Sequence, residues 1–399
     1  MSSLDGARVV LGVTGGIAAY KAVEVSRRLV DAGAHVVPVL TEGAEHFVGR
    51  TTFDALASEK VQTSLWDEQS PIPHTLLGQS ADLIVVAPAT ARLLSDYRTG
   101  RSADLLTTTL IATAAPVLLA PAMHTEMWEH PAVQENLEVL ARRGVNIVPA
   151  EPGRLAGGDV GFGRLASPRT IVGHAERVLS SGDLAGKHVV ITAGGTSEPI
   201  DAVRVISNRS TGKQGYALAE AAWARGAEVT LISTVDREAP VGVDVVKVET
   251  ASQMQLEVNA ASAADVIVMA AAVADFRPTD PAGHKIKKTD GQVPQIELEK
   301  THDFLVDLGN SKPGGQVLVG FAAETENLIA NAKGKLERKK LDLIVANDVS
   351  APDVGFGHET NEVTILVSDG SQIAVPLDSK RVIADAIFDA VVRVQTTLP

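Results

Sequence analysis

Two Gly-Gly turns, each directly after a run of branched apolar residues, are where this sequence first offers chemistry: Thr14-Gly15-Gly16 and Ala193-Gly194-Gly195. Three further loops in the first half follow apolar runs: Thr41-Glu42-Gly43, Ala87-Pro88-Ala89-Thr90, and Ala120-Pro121-Ala122-Met123-His124. Several offer hydroxyls or helix starts, whose unpaired amides and positive dipole end suit a phosphate. The full G-x-G-x-x-G pattern is missing, so a mononucleotide with one phosphate fits at least as well as a dinucleotide. In the second half, residues 198–215 form an insertion dense in amide, hydroxyl and guanidinium donors, Asn208 among them, that ends at a helix start. It is suited to hold a phosphate or an acyl group. Two lysine groups follow, Lys285-Ile286-Lys287-Lys288 and Lys333, Lys335, Lys339 and Lys340. A lysine-rich helix is usually a solvated face. In an acidic protein, lysines flanking strand-end loops better suit a triphosphate with its Mg²⁺, without a Walker A loop.

Those loops need strands and helices to position them. Arg8–Val13 reads as a buried strand, Ile17–Asp31 as a helix with apolar residues at helical spacing that stops at Ala32-Gly33, and Ala34–Leu40 as the next strand. The same order returns with Lys187–Thr192, a helix from about Gln214 to Arg225, and the strand Glu228–Ile232. Ala81–Ala89 also has a counterpart in Ala264–Ala272. The expected fold is therefore α/β: two consecutive doubly wound Rossmann-like domains with mainly parallel sheets. Residues 1–180 form the first, 181–186 a small, polar, Gly-containing linker, and 187–399 the second. Near the end, Glu362–Ser368, an Asp369-Gly370 turn and Gln372–Pro376 predict a hairpin, followed by an amphipathic helix.

With 399 residues, the chain is long enough for two domains that each bury a core. The net charge of −13 argues against nucleic acid as a partner. Cysteine is absent, which excludes disulfides, thiolate metal sites and a cysteine nucleophile. No apolar run is long enough for a membrane span, and no signal peptide is evident, so a cytoplasmic location is expected.

The first half carries, in order, Gly12–Lys21, a His74 ahead of a strand, Ala87-Pro88-Ala89-Thr90-Ala91, and Pro121-Ala122-Met123-His124-Thr125-Glu126-Met127-Trp128. Over roughly residues 7–178 it resembles the homo-oligomeric flavin-containing cysteine decarboxylases, in particular the phosphopantothenoylcysteine decarboxylases. The resemblance implies FMN bound about Gly15, Gly16, Thr41 and Thr90. The flavin oxidises the substrate thiol to a thioaldehyde, whose carboxylate can then leave as carbon dioxide. It also implies that His74 is the essential histidine, moving the thiol proton. Two departures stand out. The family motif has asparagine, a contact to the substrate carboxylate, where this chain has His124. Gly157-Gly158-Asp159 lies in a Gly-rich stretch that resembles the mobile substrate lid, and Gly157 occupies the position of the family's proton-donating cysteine.

The second half closely resembles the phosphopantothenate–cysteine ligases over nearly all of residues 187–399, in the order found in bacterial fusions of the two activities. This implies activation of phosphopantothenate by CTP as an acyl-cytidylate, with release of pyrophosphate, followed by attack of the cysteine amine. Carried over by motif, Asn208 would hydrogen-bond the acyl-cytidylate and Lys285 would stabilise charge as it forms. Asp275, Lys285, Phe321, Lys335 and Lys339 would line the CTP site, with His302-Asp303-Phe304-Leu305 as a loosely matched further contact. The resemblance also implies a homo-oligomer: trimers of the flavin half with sites between subunits, and dimers of the ligase half, giving a dodecamer. The competing reading is a flavin-binding regulatory protein in which only the ligase half is active.

Overall fold

The computed structural model describes residues 3–66, 71–287, 295–324, 326–348, 355 and 357–397; Lys288 of the first lysine group lies outside them. The chain divides into two compact units, Met1–Ser181 and Gly182–Pro399. The stretch read as a linker is held at its second end, since Leu184 is fully buried in the second unit's core and Asp183 pairs with Arg225.

In the first unit β1 (Arg8–Val13), α1 (Tyr20–Asp31) and β2 (His35–Leu40) make the expected β-α-β crossover. The α-helix starts later than its periodicity suggests because Ile17–Ala19 form a 3-10 turn, with Ala19 N donating to Gly16 O. Gly33 at φ +91° ends the helix as a C′ residue, a conformation that favours glycine. Short helices α2 (Glu42–Glu45), α3 (Arg50–Leu56) and α4 (Pro73–Ser80) lead to β3 (Leu83–Ala89). Then come α5 (Ala91–Thr99), α6 (Leu105–Ala112), β4 (Val117–Pro121), α7 (Thr125–Trp128), α8 (Pro131–Arg142) and β5 (Asn146–Ile147). A hairpin of β6 (Glu151–Arg154) and β7 (Val160–Arg164) precedes α9 (Pro168–Leu179).

The sheet order is β2-β1-β3-β4-β5, all parallel, so the chain reverses direction across the sheet between β1 and β3. Alternate residues bury opposite faces. Val9, Leu11 and Val13 pack with α1 and α9, while Val10, Ile84 and Val86 pack with α5, α6 and α8. Both faces are covered, which is why these strands are apolar throughout.

The second unit begins with β8 (His188–Ala193), a two-stranded arm of β9 (Ser197–Pro199) and β10 (Val205–Ser207), α10 (Lys213–Ala224) and β11 (Glu228–Ser233). β12 (Asp244–Lys247), α11 (Ala251–Ala260), β13 (Val266–Met269) and a second arm of β14 (Phe276–Pro278) and β15 (Leu298–Lys300) follow. The unit then runs through α12 (Phe304–Ser311), β16 (Val317–Glu324), α13 (Leu328–Arg338) and β17 (Leu343–Asp348). It closes with β18 (Thr360–Val367), β19 (Gln372–Ser379) and α14 (Lys380–Thr397).

Its sheet runs β12-β11-β8-β13-β16-β17-β18-β19. The first six strands are parallel in the 3-2-1-4-5-6 order of dinucleotide-binding folds, and β18 and β19 add the expected antiparallel hairpin. Opposite Glu362, β19 carries an extra residue at Pro376-Leu377, because Asn361 pairs with Asp378 but Val363 with Val375. Ile383, Ile387, Phe388 and Val391 of α14 are fully buried against one face of this sheet. Burying each contributes about 1.5–3 kcal/mol.

Candidate active sites

Ligands in open α/β sheets sit beyond the carboxyl ends of strands where the chain changes direction. In the first unit that point lies between β1 and β3, and the loops there are bound to each other. Thr14, buried, donates from Oγ1 to Pro88 O at 2.6 Å and accepts from Thr90 N at 3.3 Å. Against these loops opens a cavity of about 570 Å³ whose walls include Gly15, Gly16, Pro88, Thr90, Met123 and His124. Thr90 both lines it and caps α5, accepting from Leu93 N. A methyl at Gly16 would meet only Thr90 Cγ2, at 3.9 Å, so a bound molecule has room to approach this turn. At Gly15 the opposite holds, because a Cβ would lie 2.7 Å from the carbonyl carbon of Gly43. The volume falls within the roughly 300–1,000 Å³ of small-molecule and cofactor sites. The mixture of apolar wall, turn and hydroxyl suits a flat mononucleotide.

Thr41 is not on that wall. Its hydroxyl is committed locally, accepting from Ala44 N and donating to Val13 O, each at 3.3 Å. His74 is not there either. It sits in the first turn of α4 rather than in a loop, with Nδ1 buried and without a hydrogen-bond partner among the described residues.

The Gly-rich segment 155–159 is the turn of the β6–β7 hairpin, and that hairpin packs on α7. Met123 N donates to Gly163 O and Thr125 Oγ1 to Phe162 O, both at 2.9 Å. The fit requires glycine, since a Cβ on Gly161 would sit 2.2 Å from Thr125 Oγ1. This packing brings together two residues singled out separately in the sequence. His124 Nε2 donates to Asp159 Oδ2 at 3.1 Å, while Nδ1 donates to Glu126. Both carboxylates, Glu126 first, raise the imidazole above its ordinary pKa range. Gly157 is adjacent, and a Cβ there would lie 3.5 Å from His124 Nε2. Residues not singled out in the sequence also line the cavity: Tyr20, Lys21, Arg154 and Arg164. Burial, then Arg164, lowers the Lys21 pKa, and its amine donates to Leu165 O at 3.1 Å. The arginines at either end of the Gly-rich stretch were the available signal.

In the second unit the same switch point, between β8 and β13, is spanned by hydrogen bonds. Ala272 N donates to Gly194 O, Thr196 N to Ala272 O, and Ala274 N to Thr196 Oγ1. Asn208 leans onto this crossing and donates from Nδ2 to Ala272 O at 2.9 Å. A smaller cleft of about 130 Å³ runs beside it, walled by Ser210–Gly215, Ala270–Ala272, Phe321, Asn347 and Lys380. Phe321 thus lies on the wall of this cleft.

Lys285 is exposed, and its segment is fixed by a carboxylate that the sequence reading overlooked. Asp201, buried, accepts from Val203 N, Arg204 N and Nε, and Ile286 N, and also from Arg204 Nη2. These bonds, the Arg204 guanidinium foremost, hold its pKa far below the usual carboxylate range.

Lys335 pairs with Glu324 at 2.6 Å, and Lys339 with Asp303 at 2.8 Å, so the lysine helix and the His302–Leu305 segment do meet. Neither lysine lines the cleft described above. Asp275 is exposed, and its carbonyl accepts from Thr301 N. His302 bonds Asp307 at 2.6 Å. Phe304 is 3% exposed and packed with Leu308 and Leu336, so its ring is core, and Leu305 packs against the same cluster. Lys380, which no local pattern marks, is 6% exposed and donates to Gly355 O at 2.9 Å. Burial, then Lys213, lowers its pKa to about 8. Among the described residues no cluster of acidic or histidine side chains could hold a metal ion, and no helix is long and apolar enough to cross a membrane.

Comparison with known proteins gives two family matches, the flavoprotein model over residues 1–180 and the DNA/pantothenate metabolism flavoprotein C-terminal domain over residues 184–394. The coenzyme A biosynthesis bifunctional protein CoaBC of Mycobacterium tuberculosis H37Rv is 47% identical over 402 residues, covering 96% of each chain. That of Bacillus subtilis is 48% identical over 385 residues, covering 94% of each. Among solved structures, the C-terminal domain of a CoaBC protein covers 54% of this chain and 99% of its own, at 40% identity and TM-score 0.47. The FMN-dependent cysteine decarboxylase SpaF covers 44% and 97%, at 27% identity and TM-score 0.38. With both halves matched in order and relatives aligned over nearly their whole length, the chain belongs to the CoaBC family of bifunctional coenzyme A biosynthesis enzymes, a flavoprotein decarboxylase followed by a ligase.

Proposed function

We propose that the second unit activates 4'-phosphopantothenate with CTP and couples it to cysteine, and that the first unit, holding FMN, decarboxylates the 4'-phosphopantothenoylcysteine so formed to 4'-phosphopantetheine. The observation that carries this reading is the pair of switch-point clefts, the first walled by Gly15 and Gly16 and the second by the Ser210–Gly215 loop and Lys380, each supplied with residues suited to a phosphorylated guest.

A carboxylate is a poor acyl donor, and a nucleoside monophosphate is a far better leaving group than oxide. In the second unit the phosphopantothenate carboxylate attacks the α-phosphate of CTP, pyrophosphate leaves, and the cysteine amine displaces CMP from the acyl-cytidylate. Lys285 neutralises charge at the phosphorus, and Asn208, already turned toward the switch point, bonds the acyl-cytidylate. Asp275, Phe321, Lys335, Lys339 and His302-Asp303 surround the nucleotide, the lysines leaving Glu324 and Asp303 for its phosphates. Mg²⁺ would enter with the triphosphate, held by phosphate oxygens and water.

In the first unit Gly15, Gly16 and Thr90 would hold FMN, and the cavity's breadth and open turn fit it. When bound, FMN supplies the two-electron oxidation that makes the carboxylate a leaving group and the matching reduction afterwards. His74, half-buried and absent from its own chain's cavity wall, serves a neighbouring copy by taking the substrate thiol proton. The assembly is accordingly a homo-oligomer, a dodecamer in the family pattern, acting in the cytoplasm.

The test mixes full-length protein with phosphopantothenate, cysteine, CTP and Mg²⁺ and follows pyrophosphate and carbon dioxide. Both are expected, and Lys285→Gln should abolish the first while sparing carbon dioxide release from supplied phosphopantothenoylcysteine. A colourless protein that releases neither would end the proposal.

A further inference from the structure

Loss of carbon dioxide leaves an electron pair on the carbon that carried the carboxylate, and that carbon needs a proton. The chain has no cysteine to give one. The titratable side chains around the cavity are Tyr20, Lys21, His124, Arg154 and Arg164. Of these types only an imidazole ordinarily exchanges its proton near neutral pH, a guanidinium does not release one at all, and His74 of a neighbouring copy is engaged at the thiol. Resting on the decarboxylation reading above, we infer that His124, clamped between Glu126 and Asp159, is the acid that protonates this carbon.

Three observations carry the assignment. His124 lies on the cavity wall. Both ring nitrogens are engaged by carboxylates, Nδ1 with Glu126 and Nε2 with Asp159 at 3.1 Å, so the cationic form is the one the site supports. Asp159 is set by a tight turn in which Gly158 N donates to Leu155 O and Leu155 N to Asp159 O. The Nε2 proton is therefore held by a residue of the hairpin turn that borders the cavity, and handing it to substrate needs only that one contact to open. Gly157 lets the turn close on the ring, since a Cβ there would crowd Asp159 Oδ2 at 3.1 Å.

The step balances. The N–H bond at Nε2 breaks and a C–H bond forms at the former carboxylate carbon. The enethiolate C=C pair makes that bond while a sulfur lone pair closes a C=S bond, and neutral imidazole remains, to be recharged from water. The charged groups facing His124 are Glu126 on α7 and Asp159 on the hairpin turn, with Arg154, Arg164 and Lys21 elsewhere on the cavity wall. The carboxylates dominate, so the cation persists above the usual imidazole range.

The experiment uses the full-length flavoprotein and synthetic phosphopantothenoylcysteine. His124→Gln should release at most one equivalent of carbon dioxide per site and then stall, with the enethiol accumulating as a near-ultraviolet band and thiol product forming about 10²–10³-fold more slowly. Asp159→Asn and Glu126→Gln should each keep turnover but shift its alkaline limb to lower pH. NMR of labelled histidine without substrate should show the His124 midpoint falling in parallel. Product formed by His124→Gln within threefold of the parent, or an alkaline limb unmoved in both carboxylate variants, would overturn the assignment while leaving the decarboxylase reading intact. A parent protein that releases no carbon dioxide would remove both.

Discussion

Gly15→Ala tests whether the first turn is a close-packed junction or a passive connection. The new methyl would lie 2.7, 2.8 and 2.9 Å from the carbonyl carbon, oxygen and Cα of Gly43. Ordinary carbon contacts are about 3.5–4.0 Å, so the turn after β1 and the first turn of α2 must part by close to an ångström. Both partners are backbone, and neither can rotate away. Overpacking of this kind costs about 1–3 kcal/mol, which in a unit of this size lowers its melting temperature by about 2–12 °C. Gly16→Ala is the control. Its backbone is extended (φ −172°, ψ 157°), and its methyl meets only Thr90 Cγ2 at 3.9 Å, so stability should change by less than about 0.5 kcal/mol. Calorimetry of both variants, with bound flavin counted by absorbance, separates the cases: Gly15→Ala should lose both stability and flavin, while Gly16→Ala keeps its melting temperature. Equal melting temperatures for the two variants would refute the packing argument.

Three further outcomes are expected. Asp201→Asn removes the charge shared by Arg204 and the Ile286 amide, so ligation should fall by about 10²-fold through misplacement of Lys285, with decarboxylation unchanged in the same sample. His174 has its pKa lowered to about 4 by burial and by Arg177, so it is neutral when folded, whereas the unfolded chain takes up a proton below about pH 6.5. Its contribution is therefore complete above pH 6.5 and is lost progressively toward pH 4, by up to about 3 kcal/mol; His174→Gln should flatten the acid limb of thermal stability measured over that range. Lys380, with a pKa near 8, should gain a proton when a triphosphate enters the adjacent cleft, seen at pH 8.5 as a binding heat that varies with buffer ionisation enthalpy. Lys380→Met should abolish that dependence and weaken nucleotide binding about tenfold or more.

The sheets were legible because parallel strands covered on both faces must be apolar runs, and because residues such as Gly33 and Gly370 mark where helix and hairpin turn. The strand Arg8–Val13 and the helix near 214–225 stand where their patterns put them, to within a residue. Less legible were contacts made only when distant segments fold together. Asp159 and His124 are 35 positions apart, and the bond between them depends on a hairpin packing onto a four-residue helix. Asp201 looked like one polar residue among many, and its value lies in three amides and a guanidinium that converge on it. The burial of the Phe304 ring was not legible either, because it depends on Leu308 one turn on and on Leu336 of another helix packing against it. The helix that carries His74 was not read from the sequence, although Pro73 is well suited to its first turn.

The outer strand of the larger sheet has a consequence for how these molecules behave when crowded. A sheet edge is a template on which a stray chain can dock and seed aggregates. Here the last strand is interrupted by the additional residue at Pro376-Leu377, and Pro376 carries no amide hydrogen. The exposed Asp378 then places a charge on the same margin. A newcomer would find its ladder broken midway and repelled near one end, so concentrated protein, whether fresh from synthesis or in a test tube, is spared growth of fibrils along that border.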